Sequence, residues 1–323
     1  MTSSQVPDAT TVAAELGPLR ARRRFSWVRL YRASVPYLLL LPVAVVIGAV
    51  LGYPLYKLVT LSFQQYGLPE LIQRKGTWIG FDNYESVLRD SIFWETLLRT
   101  VIFTAANVGL TIVLGTLIAL LLVKVSTWVR VLLTVGLVLV WSMPAVVAVQ
   151  VFYWMTNFQN GVLNYVFAQV GLGAEQHDWY ATTFSKLAMV TLLIVWGAIP
   201  FVAITVYAGL AQVPRELVEA AEIDGAGPFR VFKDVTFPIL KPILLILTSL
   251  SIIWDFAVFT QPWLLISPSQ IDATNYLMGV YVFVEGYTRS DFGRGAAISL
   301  LMVAMVAALS VIPVRRMARS EEV

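Results

Sequence analysis

Two groups of residues in this chain have types and spacing that could do chemistry. The first is Glu219-Ala220-Ala221-Glu222-Ile223-Asp224-Gly225, followed by Val235-Thr236-Phe237-Pro238, where charged, small and apolar side chains alternate. Carboxylates in such a setting suit charge-assisted contacts at a partly buried protein interface. The second is Asp255 with Trp254 and Phe259, set in an apolar run. A carboxylate beside aromatic faces suits a sugar, whose hydroxyls donate hydrogen bonds and whose C–H faces stack. Gln150, Tyr153 (beside Trp154) and Asn107 are further polar candidates for the same lining. Asp255 reads equally well as a partner for another helix or a second subunit. The chain has no cysteine and one histidine, His177, so disulfides, thiolate metal sites and cysteine nucleophiles are excluded and no metal cluster is expected. No G-x-x-x-x-G-K-[S/T] phosphate loop is present, so ATP hydrolysis by this chain is not expected.

The elements that carry these residues follow from composition. With 323 residues, 58% hydrophobic and 13% charged, and a mean hydropathy of +0.74, the chain is too apolar for a water-soluble domain. A crossing helix needs roughly 20 apolar residues, and six runs qualify: about 37–62, 96–123, 129–155, 184–208, 239–260 and 296–314. The reading is an all-α integral membrane protein. Arg20, Arg22, Arg23, Arg24, Arg29 and Arg32 precede the first run, and Arg315, Arg316 and Arg319 follow the last. By the positive-inside rule both termini are cytoplasmic, which also reads the basic tail as topogenic rather than nucleic-acid-binding.

The outer loops are then about 64–95, 156–183 and 261–295. The first, with Trp78, Phe81 and Tyr84, suits a short cap at headgroup level. Residues 161–170 suit an interfacial helix ended by Gly171, and Tyr276 to Val284 a helix too short to span. Gly48 and Gly52 form a Gly-x-x-x-Gly pair in the first span. The segment between the fourth and fifth spans reads as two short cytoplasmic helices. Pro214 and Pro228 suit their first turns, and Gly225-Ala226-Gly227 suits the bend. Leu217, Ala220, Ala221 and Asp224 repeat at helical spacing, as do Phe229, Phe232 and Thr236. Such narrow faces fit helix-in-groove recognition, or packing beneath the chain's own bundle.

With Glu219, Ala220, Ala221, Gly225 and Pro238 at their spacing, this segment resembles the EAA loop of binding-protein-dependent ABC importer permeases, Val235 and Phe237 replacing the usual Ile and Leu. Gly80-Phe81-Asp82-Asn83-Tyr84, Phe93-Trp94 and Thr100 are similar to the loop before the second span of the maltose-type sugar permeases, with Arg99 where Asn is common. Ile253 to Gln261 is similar to the disaccharide and chito- or cello-oligosaccharide members, although Ile266-Ser267-Pro268 stands where T-x-G-G-P is frequent.

The resemblance implies a six-helix type I ABC importer permease in the cell membrane. Residues 1–26 read as a disordered basic cytoplasmic tail, 27–319 as the transmembrane permease domain with a coupling hairpin at 214–238, and 320–323 as a short tail. Glu219, Ala220, Ala221, Asp224, Gly225, Phe229, Phe232 and Pro238 would couple the chain to a separate ATPase present in two copies. A second homologous permease and an extracytoplasmic solute-binding protein would complete the assembly. No cofactor is expected in this chain, ATP being hydrolysed by the partner, and no nucleic acid. The implied cargo is a disaccharide or short oligosaccharide, with glycerol-phosphate or another sugar-like solute as the alternative. An ion-coupled secondary transporter would need several intramembrane charges or paired broken helices.

Overall fold

The computed structural model describes residues 27–171, 177–266 and 271–320. The expected tail at 1–26 and the last three residues lie outside them, as do Ser267 and Pro268. Two compact units are present, one ending at Tyr56 and one beginning at Lys57. In the first, helix α1 (Trp27–Ile47) passes through a π-helical turn at Gly48–Gly52. The turn lies just ahead of Pro54, whose missing N–H leaves a regular helical bond unmade. Helix α2 (Tyr53–Ser62) continues it across the division, and Tyr37–Ser62 is long and apolar enough to cross a membrane.

In the second unit a small cap comes first. Strands β1 (Gln64–Gln65) and β2 (Thr77–Trp78) pair antiparallel around helix α3 (Leu68–Gln73), and helix α4 (Asp82–Leu88) follows. Phe63 gathers Trp78, Phe81 and Tyr84 at ring distances of 5.5, 5.2 and 5.4 Å. Asn83 fastens the cap by donating to the carbonyls of Ser62 and Gln64, both at 2.9 Å. The expected cap thus exists, with a ribbon of two-residue strands in an otherwise helical chain.

Long helices follow: α5 (Ser91–Lys124), the pair α6 (Thr127–Trp141) and α7 (Ala145–Met155), and α9 (Thr183–Leu210). Between the last two lies helix α8 (Val162–Gln169), a short helix where one was expected, ended near Gly171. The single run expected at 129–155 is broken, since α6 and α7 meet at 99° across Ser142-Met143-Pro144. Pro144 supplies no N–H and turns the residue before it away from helical geometry. Counted as one span, the pair completes six candidate crossings.

Helix α10 (Arg215–Ile223) leads to α11 (Pro228–Val231), a π-helical turn at Phe232–Thr236, and α12 (Phe237–Phe256). The second helix expected in the hairpin is therefore the foot of the fifth span, continuous from Pro228 to Phe256. Its π turn again lies ahead of a proline, Pro238. The span stops at Phe256 rather than near Thr260, and the chain restarts as α13 (Thr260–Leu265). Helix α14 (Met278–Phe283), as expected too short to span, runs into a π turn at Val284–Thr288, and α15 (Phe292–Ser320) ends the described chain.

Helix α5 is the mast of this unit and packs along α9 and α12. Between hydrocarbon tails and apolar helices there is little hydrophobic gain, so close packing must hold them. Gly115 serves that end, because a Cβ there would lie 2.6 Å from Val202 Cγ1. The buried face of α5 also carries Thr96, Thr100, Thr104, Asn107, Thr111 and Thr116. Thr100 is used fully, donating to the Thr96 carbonyl at 2.7 Å and accepting from the Met278 N–H at 3.0 Å. The hydroxyls of Thr96, Thr104, Thr111 and Thr116 and Oδ1 of Asn107 have no hydrogen-bond partner among the described residues.

At the loop end an ion cluster ties distant segments. Glu285, 2% exposed, lies 2.6 Å from Arg289 Nη1 and 3.2 Å from Arg294 Nε. The second contact is an ion pair without hydrogen-bond alignment. Arg294 Nη2 donates to Asp90 Oδ2 at 2.5 Å, and Asp90 Oδ1 caps α5 by accepting from the Ile92 N–H. Burial raises the Glu285 carboxyl above the ordinary glutamate range, with the two arginines pulling the other way. Arg99, the departure from the family pattern, donates to the carbonyls of Tyr276 and Ala273 at 2.9 and 3.3 Å.

Candidate functional site

Two helix breaks meet around one cavity of about 470 Å³. From α6, its break and α7 come Trp141, Met143 and Ala145; from α9, Trp196 and Phe201; from the end of α12 and the start of α13, Trp254, Asp255, Phe259 and Gln261. Helix ends leave backbone N–H and C=O groups without intrahelical partners, and membrane proteins tolerate such ends only where they line a cavity or are buried in protein.

Asp255 is 7% exposed on the last turn of α12 and has no hydrogen-bond or ion-pair partner among the described residues. The rings form a connected wall: Trp141 stacks on Phe201 at 5.9 Å and Phe201 meets Trp254 at 5.5 Å. Phe259 packs on Trp263 and Phe283 at 5.7 and 4.8 Å. Among the described residues, no lysine, arginine or histidine lines this cavity. It can accept hydrogen bonds from a neutral polyhydroxylated molecule and offer it flat apolar faces.

Trp254, Asp255 and Phe259 are therefore together, though not for the reason their spacing gave. A helix through Phe259 would put it on the face of Asp255 four residues before, but the helix ends at Phe256 and the return of the chain brings the ring to the cavity. Asn107 is elsewhere, fully buried between α5 and α9, donating to the Phe103 carbonyl at 2.8 Å and to Thr191 Oγ1 at 3.4 Å. Gln150 and Tyr153 are exposed on α7 and do not line the cavity. Trp141, Trp196 and Phe201, which do line it, had no signal in sequence, since aromatic residues in apolar runs look alike until their neighbours are known.

At the opposite end of the bundle the hairpin exposes apolar rings. Phe229 is 78% exposed and Ile223 86%, while Phe232 is half-buried 6.2 Å from Phe237. Gly225 has φ +81°, a left-handed conformation that side chains disfavour, and it makes the bend after α10. Ala220 is exposed and Ala221 half-buried; Asp224 closes the helix with its N–H on the Ala220 carbonyl, and Pro238 opens α12. Glu219 is exposed and lines a second cavity of about 630 Å³ together with Lys124, Arg130, Tyr207, Arg215 and Glu222. The faces thus differ: Glu219 looks along the cavity, whereas Leu217, Ala220 and Asp224 lie round the helix from it.

Residues 111–319 match the model of the family described as the binding-protein-dependent transport system inner membrane component. The chain is 42% identical over 291 residues to the diacetylchitobiose uptake system permease protein DasB of Streptomyces coelicolor, covering 90% of this chain and 88% of that protein. It is 29% identical to the trehalose/maltose transport system permease protein MalF of Thermococcus litoralis, covering 87% and 92%. A solved bacterial ABC transporter that imports the acidic polysaccharide alginate shares the fold, with a TM-score of 0.78 at 18% identity over 91% of this chain and 98% of that one. Two broken helices would have fitted a secondary transporter equally well, and these relationships overturn that alternative. The chain belongs to the family of binding-protein-dependent transport system inner membrane components, the permease subunits of ABC importers.

Proposed function

We propose that this chain is one permease subunit of an ATP-driven importer of a disaccharide or short oligosaccharide. The observation that carries the substrate class is the cavity at the two helix breaks, where unpartnered Asp255 faces a wall of Trp141, Trp196, Phe201, Trp254 and Phe259. A sugar satisfies that carboxylate through hydroxyl donors. A phosphate monoester is served worse, because among the described residues the lining holds no cation to take its charge. The relative that takes up diacetylchitobiose supports the same class.

The hairpin end is cytoplasmic in this reading and both termini lie on that side, following the arginine asymmetry. There Glu219, Ala220, Ala221, Asp224, Gly225, Phe229, Phe232 and Pro238 meet an ATPase subunit, one of two in the assembly. The bareness of Phe229 and Ile223 supports this, since exposed apolar side chains rimmed by charge mark interaction surfaces. A second homologous permease completes the pathway, and an extracytoplasmic binding protein delivers the sugar. ATP is hydrolysed by the partner, and this chain needs no cofactor.

The test is reconstitution of the chain with its companions in proteoliposomes. Uptake of a chito- or cello-oligosaccharide that requires ATP and loaded binding protein, and survives collapse of the ion gradients, is expected. Glu219→Lys should abolish stimulation of the ATPase by loaded binding protein while leaving the permease in the membrane. Full coupling in that variant would remove Glu219 from the role.

A further inference from the structure

The second cavity separates opposite charges that no contact joins. On its bundle side stand Lys124, at the end of α5, and Arg130, on the first turn of α6; on its hairpin side stand Glu219 and Glu222 of α10, with Arg215 at the start of that helix. Neither carboxylate has an ion pair among the described residues. Arg130 is held rigidly. Its Nε donates to the Leu122 carbonyl at 2.8 Å, Nη2 to those of Val125 and Val123 at 3.1 and 3.4 Å, and the guanidinium carbon lies 5.8 Å from the Tyr207 ring centre. A guanidinium has five N–H donors. The two on Nη1 have no partner among the described residues.

Helix α10 is held loosely by contrast. None of its residues is buried, and its main neighbours are the α11 segment and the π turn that follow it across Gly225. It is a short lever hinged at one end. Helix α6 on the other side is a rod of 15 residues without internal proline, about 22 Å long at 1.5 Å per residue. Its far end carries Trp141, which stacks on Phe201 and lines the cavity of Asp255.

We propose that Arg130 is the positioning residue through which the hairpin drives the substrate cavity. This rests on the transporter reading above. When the partner presses α10 toward the bundle, Glu222 crosses the gap onto Nη1 of Arg130. The closed salt bridge then moves α6 as a unit, and Trp141 and Met143 at its end shift the wall of the substrate cavity. A carboxylate on a guanidinium already anchored by carbonyls loses little side-chain freedom on pairing.

Because the chain contains no cysteine, the gap can be measured directly. Lys124→Cys with Val218→Cys, which both line the cavity and take no part in the proposed bridge, is placed in the reconstituted importer, and the rate of cross-linking by a short bis-methanethiosulfonate is compared without nucleotide and with nucleotide trapped. A rise of about tenfold on trapping is expected, the sign of a shift between two populated states. Adding Arg130→Gln should abolish the rise and leave the nucleotide-free rate unchanged, whereas a merely structural loss would alter both. Equal rates in the two states, or a rise that persists in Arg130→Gln, overturn the proposal. If the triple variant does not assemble, Glu222→Gln in the same cysteine pair removes the other half of the bridge and should likewise abolish the rise; a rise that persists there overturns the proposal. Failure of the wild-type complex to show ATP-dependent uptake would sink the transporter reading instead.

Discussion

Replacing Arg294 by methionine should be the most damaging single charge removal at the loop end, and the structure says why. The side chain is 18% exposed and neutralises two carboxylates, Glu285 at 2% and Asp90 at 22% exposure. Breaking a buried ion pair by deleting one partner costs about 3–5 kcal/mol, because the other charge stays buried. Partial exposure of Asp90 places Arg294→Met near the lower figure, about 3 kcal/mol. Arg289 also pairs with Glu285, but it is 52% exposed and water screens it; about 1 kcal/mol or less is expected for Arg289→Met. For helical units of this size each kcal/mol moves the midpoint by roughly 2–4 °C, so Arg294→Met should lose about 6–12 °C and Arg289→Met under about 4 °C. Thermal unfolding of the purified permease in mild detergent, at one scan rate, measures both. The double variant Glu285→Gln with Arg294→Met should recover part of the loss, since the stranded charge is gone. Equal effects of the two single substitutions, or no recovery in the double, would refute the burial argument.

Asp255→Ala should lower oligosaccharide uptake at least about tenfold, one charge-assisted hydrogen bond contributing about 1.5–3 kcal/mol; unchanged uptake kinetics would remove it from the pathway. Gly115→Leu should cost about 1–3 kcal/mol by forcing α5 off Val202 and Ala203, read as a shorter half-life in detergent. Gly136→Ala, where an added Cβ meets nothing within 4 Å, should cost nothing. Glu285 should give the permease a distinctive pH response. The folded state holds the Glu285 proton more firmly than the unfolded chain, so its burial penalty is full above the raised pKa and fades as pH falls toward 4.5. Wild type should therefore gain stability relative to Glu285→Gln on acidification through that window, as seen in paired midpoints.

The crossings were legible because hydrocarbon thickness sets one length for all of them, and an apolar run of that length has few other uses. The hairpin was legible because charge between two such runs must reach water. The break at Pro144 was hidden by the same logic. Val129 to Met155 is apolar throughout, and proline alone does not mark a break, since Pro200 and Pro242 sit inside unbroken helices. Hydropathy measures composition, whereas the bend depends on what packs beside it. The place of Asn107 was hidden for a related reason: a polar side chain in a span needs either a wet cavity or a partner, and only its neighbours Phe103 and Thr191 show which it has here. The cluster of Asp90, Glu285 and Arg294 joins residues about 200 apart in sequence, beyond the reach of any local pattern.

The silent hydroxyls on α5 bear on how such a protein can change shape at all. Thr96, Thr104, Thr111 and Thr116 lie buried along the mast without a hydrogen-bond partner among the described residues. Where every polar group is locked to a neighbour, sliding one helix past another must first rupture those bonds in a medium that offers no replacement. Here most of the contact is shape against shape, and a bond that was never made does not resist. The mast thus works as a greased bearing between rods that must turn, pinned where Arg99 and Thr100 meet the backbone of residues 273–278 and where Asn107 reaches Thr191. Those few fixed points are where a turning helix has its pivots.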